Sequence, residues 1–253
     1  MHLPEIDKYA HLDSLIQRWD PRVKILTLSF LIVILSCLPD ISSALMGLVI
    51  VGILFIFSKI PFAFLVKQLR WVSFFILFFL VVLPLTVPGK ILLKVRFLTI
   101  SEEGLELASL ISLRALSIFI LLVVILGTSK FHITLKALQS LRVPNRLIQM
   151  VMFSYRYIFL FWEELRRAFI SAWARLFKRR TDIYTLRITA NLVGSLFIRG
   201  LERTQRVYQA MICRGYRGKI KSLERSELKK SDFLKAVLVS LGGLLLITMG
   251  WFL

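Results

Sequence analysis

A chain of 253 residues that is 57% hydrophobic and only 19% charged lies well below the roughly 25% charge of a soluble domain, and it reads as an integral membrane protein. Its formal net charge of +19 is concentrated: residues 128–235 hold 23 of the 34 Lys and Arg but seven of the 15 Asp and Glu, a net of +16. The cysteines, Cys37 and Cys213, lie far apart without CxxC or Cys/His spacing, which argues against a structural zinc site or a disulfide framework.

The polar stretch 1–24 precedes the first apolar run, so no cleavable leader is expected. Asp20-Pro21 is placed to cap and start a helix. Apolar runs then follow at about Val23–Leu38 and Ile41–Phe57, joined by the tight Pro39-Asp40 turn as a transmembrane hairpin. Lys59, Lys67 and Arg70 mark the next loop, with a short amphipathic turn from Pro61. A Phe-rich third run extends from Trp71 to about Val87 and is kinked or ended by Pro84. The mixed-charge stretch from Pro88 to Glu106 leads into a fourth run, Leu107–Gly127. Arg114 falls inside that run, and a charge at helix depth costs about 2.5–3.5 kcal/mol. It is read as a structural arginine paired with backbone or a neighbouring helix.

From Thr128 the helices become too charged to cross lipid yet keep apolar faces. A short amphipathic helix ends near Pro144. A long second one starts at Pro144-Asn145, with Ile158, Leu165, Phe169, Trp173 and Leu176 on one side and Ala168, Ser171, Ala172, Arg175 and Arg179 beside them. The third runs from about Leu186 to Gly218. At about 100° per residue, Ile198, Leu201, Tyr208, Met211 and Ile212 share one side of it. Arg199, Arg203, Arg206 and Arg214 share the other, with Ala210 one turn before Arg214. Gly215 and Gly218 are placed to end this helix. After the charged hinge 219–231, the stretch from Phe233 to Leu253 is long enough for a last span.

The expected fold is therefore an all-α integral membrane protein of about five transmembrane helices, with a cytoplasmic domain of long amphipathic helices between the fourth and fifth. The expected divisions are an N-terminal membrane domain, 1–127, a basic domain, 128–232, and a final span, 233–253. The positive-inside rule puts the basic domain and the N-terminus in the cytoplasm and the C-terminus outside, with Lys90, Lys94 and Arg96 out of place.

Catalytic chemistry is sparse. There is no GxxxxGK[ST] phosphate loop, HExxH or GxSxG pattern, so no enzyme is expected. Glu163 and Glu164 point about 100° apart on a helix and suit salt bridges to Arg156, Arg166 or Arg167 better than paired acid–base work. His2, His11 and His132 share no ligand spacing, and no metal site is expected in this chain. Cys213 reads as a small packing side chain where alanine serves as well. The basic domain suits nucleic acid, anionic lipid headgroups or an acidic protein, and charge alone does not choose among them.

The stretch RVYQAMICRGYRG resembles the C-terminal signature of the transmembrane T components of energy-coupling factor transporters, in which an Ala-Arg-Gly triplet ends each of two cytoplasmic coupling helices. Ala174-Arg175-Leu176 is similar to the first triplet with leucine for glycine. Cys213-Arg214-Gly215 is similar to the second with cysteine for alanine. HLDSLIQRWDPRVK, LRVPNRLIQM and YRYIFLFWEEL also resemble the family, the first of them its cobalt-transport, CbiQ-type branch. The resemblance implies a multi-pass scaffold of the inner (cytoplasmic) membrane whose coupling helices dock on two ATP-binding cassette ATPase subunits, each triplet arginine meeting acidic residues there. It further implies a separate substrate-binding membrane S component that holds cobalt or nickel. On this reading no cofactor is bound by this chain, ATP and magnesium belong to the ATPase subunits, and nucleic acid is not a partner. The alternative is a membrane-anchored basic scaffold that binds anionic lipid or nucleic acid. Because leucine does not tolerate a left-handed cap as glycine does, the first coupling helix is expected to continue through Phe177 to Arg180.

Overall fold

The structure, a computed structural model, describes residues 14, 16–17, 19–88, 90–95, 98–178, 180–218 and 230–252. His2, His11, Arg96, Arg179 and most of the polar stretch 1–24 and the hinge 219–231 lie outside the described residues. Eight helices are described: α1 Pro21–Ser36, α2 Ile41–Ser58, α3 Phe62–Thr86, α4 Glu102–Gly127, α5 Phe131–Ser140, α6 Asn145–Ala174, α7 Ile183–Cys213 and α8 Lys230–Phe252. The fold is all-α apart from one antiparallel hairpin, β1 Ile91–Val95 with β2 Leu98–Ser101, whose register slips between Ile91 and Leu93. The hairpin falls in the mixed-charge stretch before α4, where no strand was expected. The chain divides into two compact units, Met1–Ala137 with Ser226–Leu253, and Leu138–Arg225.

In the first unit, Asp20 caps α1 by accepting the Arg22 amide at 2.8 Å, with Pro21 at the first helical position, where its missing N–H costs nothing. Leu28, Leu31, Leu35 and Leu38 recur at helical spacing. They pack with Val51 of α2, with Leu121 and Val124 of α4, and with Leu246 of α8 as the core. At one end of α1 the buried Lys24 ammonium donates to Thr128 Oγ1 at 3.0 Å and to Ser129 Oγ. Past the other end, the Arg114 guanidinium donates to the Leu38 carbonyl. The expectation of an arginine paired with backbone is met, and the bond satisfies the Leu38 carbonyl, two residues past the end of α1.

Four described helices are long and apolar enough to cross a membrane: Ile41–Ser58, Phe62–Thr86, Glu102–Gly127 and, within α8, Ser231–Thr248. The first expected span, α1, has 16 residues, about 24 Å at 1.5 Å per residue, just under the usual range. The third expected span corresponds to a longer helix. Phe62 to Thr86 is one continuous helix of 25 residues that carries Lys67 and Arg70 in its first turns and passes through Pro84. Lysine and arginine are good helix formers, so charge near the end of this helix marks no break. Pro84 lies in the last turn, and the helix ends two residues later at Thr86, as a missing N–H and a crowding ring favour.

Where α3 meets α4, Ser101 caps α4 by accepting the Gly104 amide at 3.2 Å. Glu102 and Glu103 in the first turn suit the positive end of the helix dipole. A Cβ at Gly104 would lie 2.8 Å from the Pro84 Cα and 2.9 Å from the Leu83 carbonyl oxygen, so this closeness of α3 and α4 needs glycine.

In the second unit, α6 and α7 run antiparallel. Gln149, in the second turn of α6, accepts from the Tyr216 hydroxyl and donates to the Gly218 carbonyl at 3.0 Å, both beyond the end of α7. Further along, the Phe161 ring would stand 3.0 Å from a Cβ on Gly200, and Arg203 forms an ion pair with Glu164. The residues of α7 on this line, among them Leu192, Leu196, Arg203, Val207 and Met211, are half-buried. The expected split into one apolar and one basic side is therefore corrected at two positions: Met211 packs inward, and Arg203 turns inward onto Glu164. Ile198, Leu201, Tyr208 and Ile212 stay exposed. Glu163 keeps an intrahelical partner, Arg167. The packed line follows small Gly200, where a ring can approach the backbone, in preference to the most apolar side.

Two outcomes follow from this packing. Gly104→Ala is expected to cost about 1–3 kcal/mol by overpacking against fixed backbone. Gly242→Ala, with nothing within 4 Å of its added carbon, is expected to be neutral or to stabilise by up to about 1 kcal/mol. Thermal midpoints of the purified chain in detergent check both. Glu164→Ala leaves Arg203 half-buried without its carboxylate and is expected to destabilise the helix pair by about 1–3 kcal/mol, between the limits for exposed and buried pairs. Amide hydrogen exchange around Phe161 and Gly200 should then quicken, and unchanged protection there contradicts the assignment.

Candidate functional site

The candidate site is the pair of helix ends at which Ala174-Arg175-Leu176 and Cys213-Arg214-Gly215 stand. All six residues are exposed. At the end of α7 the Gly215 amide donates to the Ile212 carbonyl at 2.9 Å and the Tyr216 amide to the Met211 carbonyl at 3.0 Å. Gly215 takes φ +80°. This bond pair, with one left-handed residue past the cap, is a Schellman motif.

The end of α6 has the same geometry. The Leu176 amide donates to the Trp173 carbonyl at 3.0 Å and the Phe177 amide to the Ala172 carbonyl at 3.1 Å. Leu176 takes φ +64°. The expected continuation of this helix to Arg180 is thus corrected: α6 stops at Ala174, and leucine occupies the left-handed position that glycine holds at the other end. The cost of that conformation for an L-residue is about 1–2 kcal/mol. Burial of Phe177, at the position whose apolar contact usually accompanies the motif, helps fix the turn.

Each cap residue is an arginine, Arg175 or Arg214, so an exposed arginine stands where the chain leaves each helix. Among the described residues neither arginine forms an ion pair. Cationic side chains at C-terminal helix ends also complement the helix dipole. Since α6 and α7 are antiparallel and 30 and 31 residues long, the two arginine ends stand roughly 40 Å apart at 1.5 Å per residue. They cannot act on a single pocket. The arrangement offers two separate cationic tips on one stiff helix pair.

The cross-helix pair Glu164–Arg203 and the Gln149 clamp on Tyr216 and Gly218 were not foreseen. The spacing rule for carboxylates looks along one helix, and Arg203 comes from another. The only available signal was Gly200 among arginines, a small residue where two helices can meet closely. No group of three or more His, Cys, Asp and Glu able to hold a metal occurs among the described residues. Cys37 and Cys213 are both exposed free thiols. A cavity of about 510 Å³ in the first unit is lined by Pro39, Asp40, Ser42, Glu103, Glu106 and Leu110, among others, and none of the triplet residues lines it.

Comparison with known proteins bears on the whole chain. Residues 13–224 match the family model of the cobalt transport protein, CbiQ. The energy-coupling factor transporter transmembrane protein EcfT of Bacillus subtilis is 30% identical over 225 residues, covering 84% of this chain and 84% of that one. The EcfT protein of Exiguobacterium sibiricum is 32% identical over 212 residues, 77% of this chain and 80% of its own length. An uncharacterised protein of Methanocaldococcus jannaschii is 28% identical over 235 residues, 89% of this chain and 80% of the relative. With both the family model and the Bacillus relative spanning most of its length, this chain belongs to the cobalt transport protein (CbiQ) family of energy-coupling factor transporter transmembrane proteins.

Proposed function

We propose that the chain is the energy-coupling scaffold of a cobalt or nickel uptake transporter, and that Arg175 and Arg214 are its contacts with two ATP-binding cassette ATPase subunits. The observation that carries this reading is the twin geometry of the helix ends: two Schellman turns, each capped by an exposed arginine, at opposite ends of one antiparallel pair. A pair of ATPase subunits that close on ATP needs two such attachment points. The Glu164–Arg203 pair and the Gln149 clamp support transmission, because a stiff pair passes displacement of its tips along its length.

ATP and magnesium belong, in this reading, to the ATPase subunits, and the chain itself holds no cofactor. The metal cargo is held by a separate membrane S component. The exposed apolar stripe of α7, with Ile198, Leu201, Tyr208 and Ile212, suits a surface that meets the bilayer or that component. The positive-inside rule places the N-terminus and the basic second unit in the cytoplasm, and the C-terminus outside the inner membrane. On this reading the coupling helices are α6 and α7, which lie in the second compact unit, Leu138–Arg225.

Arg–carboxylate contacts are bidentate and orientation-specific, and truncating one partner of such a pair costs about 2–5 kcal/mol. Arg175→Ala and Arg214→Ala are each expected to weaken recovery of ATPase subunits with the chain or to release ATP hydrolysis from metal uptake. Co-purification and radiometal uptake in proteoliposomes check this. If both variants keep normal assembly and uptake, the coupling role is wrong. Binding that needs only nucleic acid or anionic lipid and falls steeply with salt points instead to a basic scaffold.

A further inference from the structure

Two buried contacts at the start of α1 catch two separate stretches of chain. The Trp19 indole, just before the helix, donates to the Asp232 carbonyl at 3.1 Å. Lys24, in the first turn, is 1% exposed and donates from its ammonium to Thr128 Oγ1 at 3.0 Å and to Ser129 Oγ. Thr128 and Ser129 follow α4, where the chain sets out for the second unit, and Asp232 lies in the first turn of α8, where it has come back. Since the second unit is Leu138–Arg225, every covalent path between it and the helices of the first unit runs through one of these two stretches. The start of α1 holds both.

The Lys24 contact is a costly way to pack a helix. Among the described residues its ammonium meets hydroxyls and no carboxylate. Burying a cation without a counter-charge costs free energy that hydroxyl dipoles return only in part, and an unbranched apolar side chain of similar length fills the same space without that cost. Thr128 does not require it, because its own hydroxyl donates to the Val124 carbonyl at 2.6 Å. What the ammonium supplies is direction: it fixes the point at which α4 ends and, two residues beyond Ser129, α5 begins at Phe131. Trp19 does the same for α8. Its ring is buried, and its N–H reaches a first turn in which Asp232 also pairs with Lys235 at 3.8 Å. The capped turn sets the spacing of the two contacts, since the Asp20 side chain accepts the Arg22 amide and its carbonyl accepts the Lys24 amide at 3.0 Å.

We propose that Trp19 and Lys24 are positioning residues for energy coupling. They pin both connections of the second unit to α1, so that displacement of the coupling helices moves the membrane helices and is not absorbed where the connections join them. The inference rests on the coupling reading above and names the place in the first unit where that motion is received.

The test uses the full transporter, reconstituted in proteoliposomes with its ATPase and substrate-binding subunits. For the parent, Lys24→Met and Trp19→Phe it measures the thermal midpoint, the dissociation constant of the ATPase subunits and the cobalt ions taken up per ATP hydrolysed. Methionine removes the buried charge and keeps the volume, so Lys24→Met should melt at or above the parent. Trp19→Phe keeps most of the buried ring and should lower the midpoint by only a few degrees. ATPase binding should stay within about twofold of the parent, as for a distant site, while cobalt per ATP falls roughly fivefold or more, the scale of a lost coupling contact. A fall in that ratio in either variant, with midpoint and binding kept, supports the pin, and Trp19→Phe decides the case if Lys24→Met does not fold. An unchanged ratio in both overturns it. So does a joint loss of midpoint, yield and uptake with the ratio kept, which is the signature of packing alone. Arg175→Ala and Arg214→Ala run in parallel: if they weaken ATPase binding and the α1 variants keep the parent ratio, the pin fails and the coupling reading stands. If the arginine variants assemble and transport normally, the coupling reading fails and the pin with it.

Discussion

The antiparallel pairing of α6 and α7 is the constraint on which the candidate site depends. Were the helices parallel, both arginine-capped ends would point the same way and stand close together. Antiparallel pairing sends Arg175 and Arg214 to opposite ends of a rod roughly 40 Å long. Three contacts hold it, and each is of a different kind. The Phe161 ring rests on the bare backbone of Gly200, Arg203 meets Glu164 across the pair, and Gln149 grips the segment beyond α7. The ion pair is half-buried, which makes it directional as well as attractive. Glu164 Oε2 is buried without a hydrogen-bond partner among the described residues. The pair therefore adds specificity at a cost in desolvation, a balance common to ion pairs withdrawn from water.

The first unit solves a different problem, that of tying a short helix to its neighbours at both ends. α1 is short; its Leu28, Leu31 and Leu35 are fully enclosed by α2, α4 and α8, while Leu26, Phe30 and Val33 face outward. Its polar ends are met by side chains of the neighbouring chain segments. Thr128 and Ser129 receive the Lys24 ammonium, and Arg114 reaches the Leu38 carbonyl from the middle of α4. Unsatisfied backbone and buried charge are both costly in apolar surroundings, and these contacts meet both costs around a helix of 16 residues. The Trp19 indole, donating to the Asp232 carbonyl at 3.1 Å, ties the approach to α1 to the start of α8, so the last helix is held at its base as well as through Leu246.

Much of this was legible in the residues. Ile41–Phe57 and Leu107–Gly127 needed only length and apolarity to be seen as helices that can cross a membrane, and Asp20-Pro21 and Gly215 marked helix ends through their own backbone preferences. Lys67 and Arg70 misled, because hydropathy registers their charge while the helix registers their propensity. Ser101 extended α4 by a turn beyond its apolar stretch for the same reason: a cap is a backbone event. Leu176 was illegible. Its conformation is set by the turn it closes and by the burial of Phe177, against its own preference, and no local rule reports that. Arg203 was placed with its basic neighbours because its carboxylate partner comes from another helix, and Met211 was misplaced because the packed line follows Gly200.

Cys213 offers the most direct measurement of the central claim that the arginine-capped tips touch ATPase subunits. It is an exposed native thiol adjacent to Arg214, and Cys37 is the only other cysteine in the chain. With Cys37→Ser in place, a thiol-attached photo-cross-linker at Cys213 in the assembled membrane complex should capture an ATP-binding subunit. The same reagent on Ala174→Cys, in a chain also carrying Cys213→Ser, should capture one from the other tip. Cross-links to lipid alone, or to no ATPase subunit from either position, would contradict the assignment of these tips as the coupling contacts.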